Sequence, residues 1–324
     1  MPLLTVSGLQ KHFNLEAGFF ARFGRFVYAV NGVSFAIGRN EAYGLVGESG
    51  CGKTTTARLL VRMYEADGGQ ILYRRGEDEV AVGALRKDAL REYRQKVRYV
   101  FQDPARSLNP RMSVGDILLS GLRWSGAPRQ TERQFRERAA LVLEEVGLSA
   151  TDLEKRPAEF SGGQRQRISI ARGLLPRPEL LICDEVVSAL DVSIQAQILN
   201  LLLDIREKRI SQNQTMSFLF IAHDLKVACY FCDRIGVMYA GELVEEAPAA
   251  TLWREGRHPY TRVLFASATG AESPPRPAAA PAPSAPPRCA FAPRCPQATE
   301  RCLTETPPVR QVAPGHSVRC HFNF

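Results

Sequence analysis

The sequence contains no long hydrophobic run. Its longest uninterrupted apolar stretch, residues 227–232, has six residues, whereas a membrane-spanning helix needs about 20. The first ten residues have neither the basic start nor the apolar core of a signal peptide. Global disorder is excluded too, because 45% of the residues are hydrophobic and 23% are charged. These features predict a folded, soluble, cytosolic chain.

Lysine is scarce, so arginine supplies most of the positive charge. Only 7 of the 42 basic residues are lysine, and the 34 acidic residues leave a net charge of +8. An excess of this size is weak evidence for nucleic-acid binding. The aromatic residues between Phe13 and Phe26 do not form the pattern of a base-stacking module. We therefore expect no nucleic acid among the partners.

The composition of the chain changes sharply near residue 271. The length of 324 residues corresponds to about two domains of roughly 150 residues. Residues 271–288 are rich in proline and alanine, which is typical of an extended linker. This linker separates a body, residues 1–270, from a tail, residues 289–324. The tail is too short to bury a core by itself, so we expect a metal or another cross-link to stabilise it.

Within the body, short apolar runs alternate with helical patterns, which predicts an α/β fold with a parallel sheet. A hairpin is predicted over residues 234–246, with its turn at Ala240-Gly241. The predicted strands are residues 42–46, 97–101, 180–183 and 218–222. The predicted helices are residues 53–64 (with Gly68-Gly69 as the stop signal), 135–146, 164–174 and 194–207.

Residues 47–54, GESGCGKT, match the pattern G-x-x-x-x-G-K-[ST] between a predicted strand and a predicted helix. Glycines are needed in such a loop because backbone N–H groups must wrap closely around phosphate oxygens. The lysine reaches the terminal phosphates, and the threonine hydroxyl binds Mg²⁺. The pattern predicts a nucleoside triphosphate site formed by Gly47, Ser49, Gly50, Cys51, Gly52, Lys53, Thr54 and Thr55.

Two carboxylates, Asp184 and Glu185, follow the apolar run of residues 180–183. In a parallel α/β sheet they lie at the carboxyl end of a strand, where ligands bind. Asp184 is therefore a candidate for holding Mg²⁺ together with Thr54. Glu185 is a candidate general base that polarises the attacking water.

Further motifs follow in an order that resembles ABC-transporter ATPases. Residues 160–164, FSGGQ, resemble the family signature LSGGQ, with phenylalanine in place of leucine. Gln102 lies in a segment that resembles the Q-loop, and Asp191 in one that resembles the D-loop. His223 follows a predicted strand, as the switch histidine of the family does. The resemblance extends from residue 4 to about residue 270.

The resemblance implies the P-loop ABC ATPase fold, a RecA-like core with a helical subdomain at about residues 103–175. It implies ATP as the nucleotide, with Gln102 near Mg²⁺ and with Gln102, Glu185 and His223 taking part in hydrolysis. Phe13 stands where the family has an aromatic residue that stacks on adenine, and Tyr28 is the alternative. One departure is visible, because valines 186 and 187 follow Glu185 where the family usually has proline; we expect this to alter the rigidity of the turn.

The signature also predicts a second anion site. Ser161 precedes the helix predicted at residues 164–174 and is suited to cap it, which leaves N–H groups exposed at the helix start. Because the phosphate loop already holds one nucleotide, the second site serves the nucleotide of another subunit. The chain is therefore expected to pair head-to-tail with a second ATPase subunit, through Ser161, Gly162, Gly163, Gln164 and Asp191.

Residues 107–111, SLNPR, residues 257–261, RHPYT, and the cysteine tail resemble ATPase subunits of dipeptide and oligopeptide importers. This resemblance implies a similar second subunit as partner, two membrane permease subunits that dock near residues 103–121, and an extracytoplasmic peptide-binding protein. It also implies a location at the cytoplasmic face of the membrane. Nickel importers share much of the pattern and are the first alternative; a soluble ABC ATPase that acts on nucleic acid is the second.

Four of the eight cysteines fall in the tail, as Cys289, Cys295, Cys302 and Cys320. In a reducing cytosol, four clustered thiols favour a metal over disulfides. The gaps lack the tight C-x2-4-C pairs typical of zinc sites and so favour a [4Fe–4S] cluster, with Zn²⁺ as the alternative. Similar importer subunits are also taken to hold iron and sulfur there. Cys229 and Cys232 lie in an apolar stretch and are interpreted as buried hydrophobic residues.

Overall fold

The computed structural model describes residues 1–14, 26–123, 131–269 and 288–322. The predicted linker lies outside these residues except for Arg288. The strands are β1 (Pro2–Asn14), β2 (Phe26–Gly38), β3 (Ala42–Val46), β4 (Gly68–Arg75), β5 (Asp78–Ala81), β6 (Val97–Val100), β7 (Leu180–Asp184), β8 (Ser217–Ala222), β9 (Arg234–Tyr239), β10 (Glu242–Pro248), β11 (Val309–Ala313) and β12 (His316–Arg319). The helices are α1 (Lys53–Leu60), α2 (Lys87–Lys96), α3 (Pro104–Ser107), α4 (Val114–Arg123), α5 (Glu132–Glu145), α6 (Gly162–Leu174), α7 (Val192–Ser211), α8 (Leu225–Phe231), α9 (Ala249–Glu255), α10 (Pro259–Thr269) and α11 (Glu300–Thr304).

The described residues form two compact units. We call the first the helical unit; it comprises Met1–Leu3, Ile37–Glu41 and Tyr73–Phe220. We call the second the phosphate-loop unit; it comprises Leu4–Ala36, Ala42–Leu72 and the described part of Ile221–Phe324.

In the phosphate-loop unit, strands follow one another in the order β11-β12-β10-β9-β3. The strand β3 is buried along its whole length and pairs in parallel with β9, with Leu45 opposite Gly236. The strands β9 and β10 are antiparallel, and the turn between them places Ala240 and Gly241 at φ 45° and 86°. The predicted hairpin and the predicted strand at residues 42–46 are therefore confirmed.

In the helical unit, β6 and β7 pair in parallel, with Val97 opposite Leu180 and Val100 opposite Cys183. The helix α6 packs against β6, and its residues Ile168, Ile170, Ala171 and Leu174 are buried. The described residues between 103 and 175 contain the helices α3 to α6 and no strand.

The helix α1 is shorter than predicted, because it ends at Leu60 and not near Tyr64. Arg62 takes a left-handed conformation with φ 57°. Its N–H donates to the carbonyl of Leu59 at 2.9 Å, and the next N–H, of Met63, donates to that of Arg58 at 2.8 Å. These two bonds form a Schellman motif, which usually has glycine at the left-handed position. Since arginine occupies it here, no glycine marks the end of the helix, and Gly68 and Gly69 instead open β4.

The tail obtains its buried residues by packing on the rest of the phosphate-loop unit. The strands β11 and β12 form a hairpin, and β12 pairs antiparallel with β10, so that Val318 lies opposite Glu245. Phe291, Val318 and Cys302 are buried there. Strand pairing and apolar burial therefore anchor this segment.

A buried carboxylate joins the tail to the preceding elements. Glu245, on β10, is 1% exposed. Its carboxylate accepts hydrogen bonds from the backbone N–H of Arg257 at 2.7 Å and of His258 at 3.0 Å. The imidazole Nε2 of His316, on β12, lies 2.7 Å from the same carboxylate. Because a buried carboxylate is costly unless it is hydrogen-bonded, this group fixes three segments in one arrangement.

We predict that Glu245→Ala lowers the free energy of unfolding by about 3 kcal/mol, because it leaves three donors in or beside the core without their acceptor. The matched control is Glu255→Ala, which removes an exposed partner of Arg257 and changes the free energy by less than about 0.5 kcal/mol. Guanidinium unfolding followed by circular dichroism measures both. Equal losses in the two variants would contradict the structural role of Glu245.

Candidate nucleotide site

The loop between β3 and α1 requires glycine at two positions. Gly47 and Gly52 adopt φ 152° and 108°. A Cβ atom would lie 2.2 Å from the carbonyl oxygen of Met238 at Gly47, and 2.1 Å from that of Ala29 at Gly52. Both distances are far below van der Waals contact, so only glycine lets the loop pass this close to the neighbouring backbone.

Lys53, the first residue of α1, folds back over this loop. Its Nζ atom donates to the carbonyl oxygens of Gly47 at 2.7 Å and of Glu48 at 2.9 Å. The side chain is 4% exposed. Gly52, which precedes the helix, has no side chain to cap it. The loop therefore presents a buried amine and the start of a helix, the two features that bind phosphate.

The other predicted residues of the loop differ in exposure. Ser49 and Gly50 are exposed, and Thr54 and Thr55 are partly exposed in the first turn of α1. Cys51 is buried, and burial raises the pKa of its thiol. The thiol lies 3.7 Å from the Nζ of Lys53, and its raised pKa keeps it uncharged beside the amine.

The predicted acidic pair lies at the end of β7 in the helical unit. Asp184 is buried, and the hydroxyl of Tyr99 donates to its Oδ2 atom. Glu185 accepts a hydrogen bond at 2.7 Å from the side-chain amide of Gln102. The structure thus brings three predicted residues together, and it adds Tyr99, which sequence patterns did not indicate.

The turn after Glu185 is strained. Glu185 has φ 50°, a left-handed conformation that costs a non-glycine residue about 1–2 kcal/mol. The N–H and hydroxyl of Ser188 donate to the Glu185 carbonyl oxygen at 3.1 and 2.9 Å. Val186 and Val187 are buried. Side-chain burial and these two bonds therefore hold the turn where the resemblance led us to expect proline.

The signature residues form the start of α6. The hydroxyl of Ser161 accepts from the N–H of Gln164 at 3.3 Å, and the amide oxygen of Gln164 accepts from the N–H of Ser161 at 3.0 Å. This reciprocal pair is a capping box. Ser161, Gly162 and Gln164 are exposed, whereas a Cβ on Gly163 would lie 2.8 Å from a methyl group of Ile194. The predicted helix start is two residues late, and the predicted cap is confirmed.

Asp191 and His223 lie at the starts of further helices. The carboxylate of Asp191 accepts from the N–H of Ile194 at 2.9 Å and caps α7. Asp191 is exposed, and so is the neighbouring side chain of Val192, at 81%. His223 follows β8 directly and is exposed, with Asp224 capping α8 behind it.

Both candidate adenine-stacking residues belong to the first two strands. Phe13, at the end of β1, packs edge-on against Tyr64 with 5.4 Å between ring centroids. Tyr28, on β2, is 63% exposed and lies 5.9 Å from the ring of His12. Phe13 thus has a packing partner on the chain that follows α1, and Tyr28 is the more exposed of the two.

The four tail cysteines are free thiols in one neighbourhood. The N–H of Cys289 donates to the carbonyl oxygen of Cys302 at 2.9 Å. Burial, together with the charges of Cys320, Cys289 and Cys302, raises the pKa of Cys295 to about 11. Within the described part of the chain, however, no three histidine, cysteine, aspartate or glutamate side chains are placed to share one metal ion.

Cys229 and Cys232 lie apart from the four tail cysteines in the sequence. Cys232 is buried and Cys229 is half-buried, and burial raises the pKa of the Cys229 thiol to about 11. The Cys229 thiol lies 3.8 Å from the carbonyl oxygen of Ala249. The interpretation as a small buried side chain therefore holds for Cys232, whereas Cys229 is only half-buried.

One residue of the phosphate loop contacts two elements from the C-terminal part of the chain. The carboxylate of Glu48 accepts two hydrogen bonds from the guanidinium of Arg294, each 2.7 Å long. The N–H of Glu48 donates to the hydroxyl of Tyr260 at 2.8 Å. Residues 257–261 were visible in the sequence only as part of a family pattern, and no sequence pattern indicated Arg294.

Two family descriptions match this chain. "ABC transporter" matches residues 30–188, and "Oligopeptide/dipeptide transporter, C-terminal region" matches residues 244–302. The oligopeptide transport ATP-binding protein OppF of Bacillus subtilis is 42% identical over 318 residues, covering 98% of this chain and 96% of that protein. A protein of Brucella ovis, named as a peptide import ATP-binding protein, is 42% identical over 329 residues, covering 98% and 97%.

Solved structures of ATP-binding cassettes share the fold. A dimeric cassette, MJ0796, bound to ADP and Pi matches with a TM-score of 0.64 and 24% identity, over 76% of this chain and 98% of that one. The cassette cbiO1 of Clostridium perfringens matches with a TM-score of 0.64 and 22% identity, over 83% and 97%. The chain belongs to the ABC transporter ATP-binding family, in the branch that carries the oligopeptide/dipeptide C-terminal region. The predicted ABC ATPase fold is confirmed.

The helices provide one further observation. None of those in the described part of the chain combines the length and the apolar character that crossing a bilayer requires.

We predict that Gly52→Ala weakens MgADP binding more than tenfold, because the new methyl group would displace the loop from the carbonyl of Ala29. The matched control is Gly76→Ala, which has φ 64° but meets no atom within 4 Å. That variant should lose about 1 kcal/mol of stability and bind MgADP normally. Isothermal titration calorimetry measures the affinities, and normal binding by Gly52→Ala would contradict the role assigned to the loop.

Proposed function

We propose that this chain is the ATP-binding and ATP-hydrolysing subunit of an importer that takes up dipeptides or oligopeptides through a membrane permease. The observation that carries the proposal is the phosphate loop, in which the buried Lys53 donates hydrogen bonds to the carbonyl oxygens of Gly47 and Glu48. The match of residues 244–302 to the oligopeptide/dipeptide region supports the peptide substrate. The names of the B. subtilis and B. ovis relatives support it as well.

For hydrolysis, we assign the loop residues 47–55 to the phosphates of ATP, with Lys53 neutralising the terminal phosphate charge. Thr54 and Asp184 would hold Mg²⁺, which polarises the phosphate, and Gln102 would lie beside it. Glu185 polarises the attacking water, and its bond to Gln102 orients the carboxylate. His223 would donate to the γ-phosphate, and Phe13 would stack on adenine.

For assembly, we propose a head-to-tail pair of cassettes. The exposed start of α6, with Ser161, Gly162 and Gln164, and the exposed Asp191 are suited to contact a second nucleotide-binding subunit. Burying two ATP molecules between the subunits favours the closed pair, and hydrolysis reopens it. The subfamily resemblance favours a similar but distinct second subunit over a second copy.

For coupling to the membrane, we propose that residues 103–121 receive the permease. Asp103 caps α3, and the guanidinium of Arg172, on α6, donates to the carbonyl oxygen of Ser107 at 2.6 Å. A displacement of this segment is therefore passed to the helix that begins with the signature. The subunit would lie at the cytoplasmic face, with a peptide-binding protein delivering substrate on the opposite side.

A nickel importer with the same ATPase machinery is the second candidate, because the motifs are shared. Purification of the assembled transporter from membranes separates the candidates by the binding protein and permease recovered and by the solute that stimulates hydrolysis. Stimulation by a peptide supports the proposal, and stimulation by Ni²⁺ contradicts it. Recovery with nucleic acid and no permease would contradict import of either kind.

We predict that Glu185→Gln lowers steady-state ATP hydrolysis by at least about a hundredfold while ATP binding is retained, because the amide cannot act as a general base. The closed, ATP-bound pair should accumulate and elute as a larger species. The matched control is Glu207→Gln, an exposed residue on α7. Phosphate release by the purified complex measures the effect, and unaltered hydrolysis would show that Glu185 is not the base.

We also propose that Cys289, Cys295, Cys302 and Cys320 hold a [4Fe–4S] cluster, with Zn²⁺ as the alternative. The proposal is supported by the four free thiols in one neighbourhood and by their irregular spacing. The described arrangement does not place three of them around one ion, so binding would require the thiols to move together. The cluster, when bound, would cross-link the tail.

Anaerobic purification is expected to give a brown protein with about four irons per chain. Cys295→Ser should lose most of this iron because it removes a thiolate ligand. The matched control, Cys229→Ser, changes a half-buried thiol outside the tail and should retain it. A colourless protein with one zinc ion would contradict the cluster and support the alternative.

A further inference from the structure

The contact between Arg294 and Glu48 joins segments that lie 246 residues apart in the sequence. Glu48 directly follows Gly47 in the phosphate loop, and Arg294 ends the 3-10 turn of residues 292–294, just before Cys295. Both guanidinium NH2 groups donate to the carboxylate, one to each oxygen. A two-point contact of this kind fixes the orientation of both groups as well as their distance.

Arg294 is itself held in place by aromatic rings. Its guanidinium lies 5.7 Å from the ring centroid of Tyr239 and 5.8 Å from that of Phe291. Phe291 is buried and packs against Tyr239 and Tyr260 at 5.2 and 5.4 Å. Because these rings already restrict the arginine side chain, forming the contact costs less side-chain conformational entropy than forming an ordinary surface ion pair.

Tyr260 forms the second connection to Glu48. Its hydroxyl accepts the N–H of Glu48, and its own N–H donates to the Nδ1 atom of His258 at 3.1 Å. Burial lowers the pKa of His258 to about 4, so this imidazole stays neutral and can accept the bond. The backbone N–H of His258 in turn donates to the carboxylate of Glu245. The path from Glu245 to the phosphate loop is thus continuous.

Arg294 and Tyr260 contact Glu48, the residue whose carbonyl oxygen also accepts a hydrogen bond from Lys53. The Nζ of Lys53 holds the carbonyls of Gly47 and Glu48, whereas its proposed role is to neutralise phosphate. When the amine turns to a nucleotide, the loop loses two bonds that fix its shape. The two contacts from the C-terminal part of the chain do not involve Lys53 and can remain.

We propose that Arg294 and Tyr260 are positioning residues for nucleotide binding. They hold Glu48, and thereby keep the phosphate loop in its binding conformation while Lys53 engages phosphate. The segment that carries the tail cysteines is consequently linked to the nucleotide site, and nucleotide binding stabilises that segment in return. This inference rests on the proposed function, since it assumes that the loop binds ATP or ADP.

The test compares MgADP binding and ATP hydrolysis among variants of the full chain. Arg294→Met should raise the dissociation constant for MgADP about tenfold, a coupling typical of linked sites. Arg294→Lys, which keeps the charge but not the two-point contact, should fall between it and the unmodified chain. The matched control is Arg301→Met, which breaks an exposed 2.7 Å contact with Glu305 in the same tail and should bind MgADP normally.

Two further measurements separate positioning from general destabilisation. In Arg294→Met and in Tyr260→Phe, the KM for ATP should rise while kcat at saturating ATP stays within about twofold, because only the binding conformation is disfavoured. The double variant Glu48→Gln/Arg294→Met should bind no more weakly than Arg294→Met alone, because one contact is removed in both.

The inference is overturned if Arg294→Met binds MgADP as tightly as Arg301→Met, or if the effects of Glu48→Gln and Arg294→Met add. It is also overturned if kcat falls with KM unchanged. Failure of the unmodified chain to bind MgADP would instead contradict the proposed function, and this inference with it. Normal binding by the unmodified chain and by Arg294→Met together would overturn the inference alone.

Discussion

The buried carboxylate of Glu245 is the group on which the C-terminal part of the phosphate-loop unit depends. Its oxygens accept hydrogen bonds from the backbone N–H groups of Arg257 and His258, and the imidazole of His316 lies within hydrogen-bond distance of the same carboxylate. A carboxylate in the interior is tolerated only when its hydrogen bonds are complete, so the segments that supply the donors have one allowed arrangement. That arrangement sets the start of α10, and with it the position from which Tyr260 reaches the phosphate loop.

The phosphate loop and the acidic pair, to which we assign catalytic roles, are stabilised in different ways. The conformation of the phosphate loop depends on close backbone packing, because Gly47 and Gly52 pass so near to neighbouring carbonyl oxygens that no side chain fits. The acidic pair is defined by side-chain hydrogen bonds, from Tyr99 to Asp184 and from Gln102 to Glu185. A loop that must surround phosphate needs open N–H groups, whereas carboxylates that act on a metal or on water need fixed orientations.

Local patterns in the sequence were sufficient to predict the strand at residues 42–46, the hairpin at residues 234–246 and the cap at Ser161. Each of these is encoded by apolar runs, glycines or capping residues close together in the chain. The predicted end of α1 was wrong because Arg62 takes a left-handed conformation, which sequence patterns indicate only where the residue is glycine. The long strands β1 and β2 were not predicted. The contacts of Tyr99 and Arg294 were also missed, because they join distant residues and depend on tertiary packing.

The separation of 246 residues between Glu48 and Arg294 has a consequence for the order of events during synthesis. Domains fold from the amino terminus as the chain emerges from the ribosome. The phosphate loop is made early, but the guanidinium that holds Glu48 is translated only after α10 and the segment that follows it. A nascent chain therefore carries an incompletely supported loop for most of its translation, and the finished site becomes available only when the cysteine-bearing segment has folded against it.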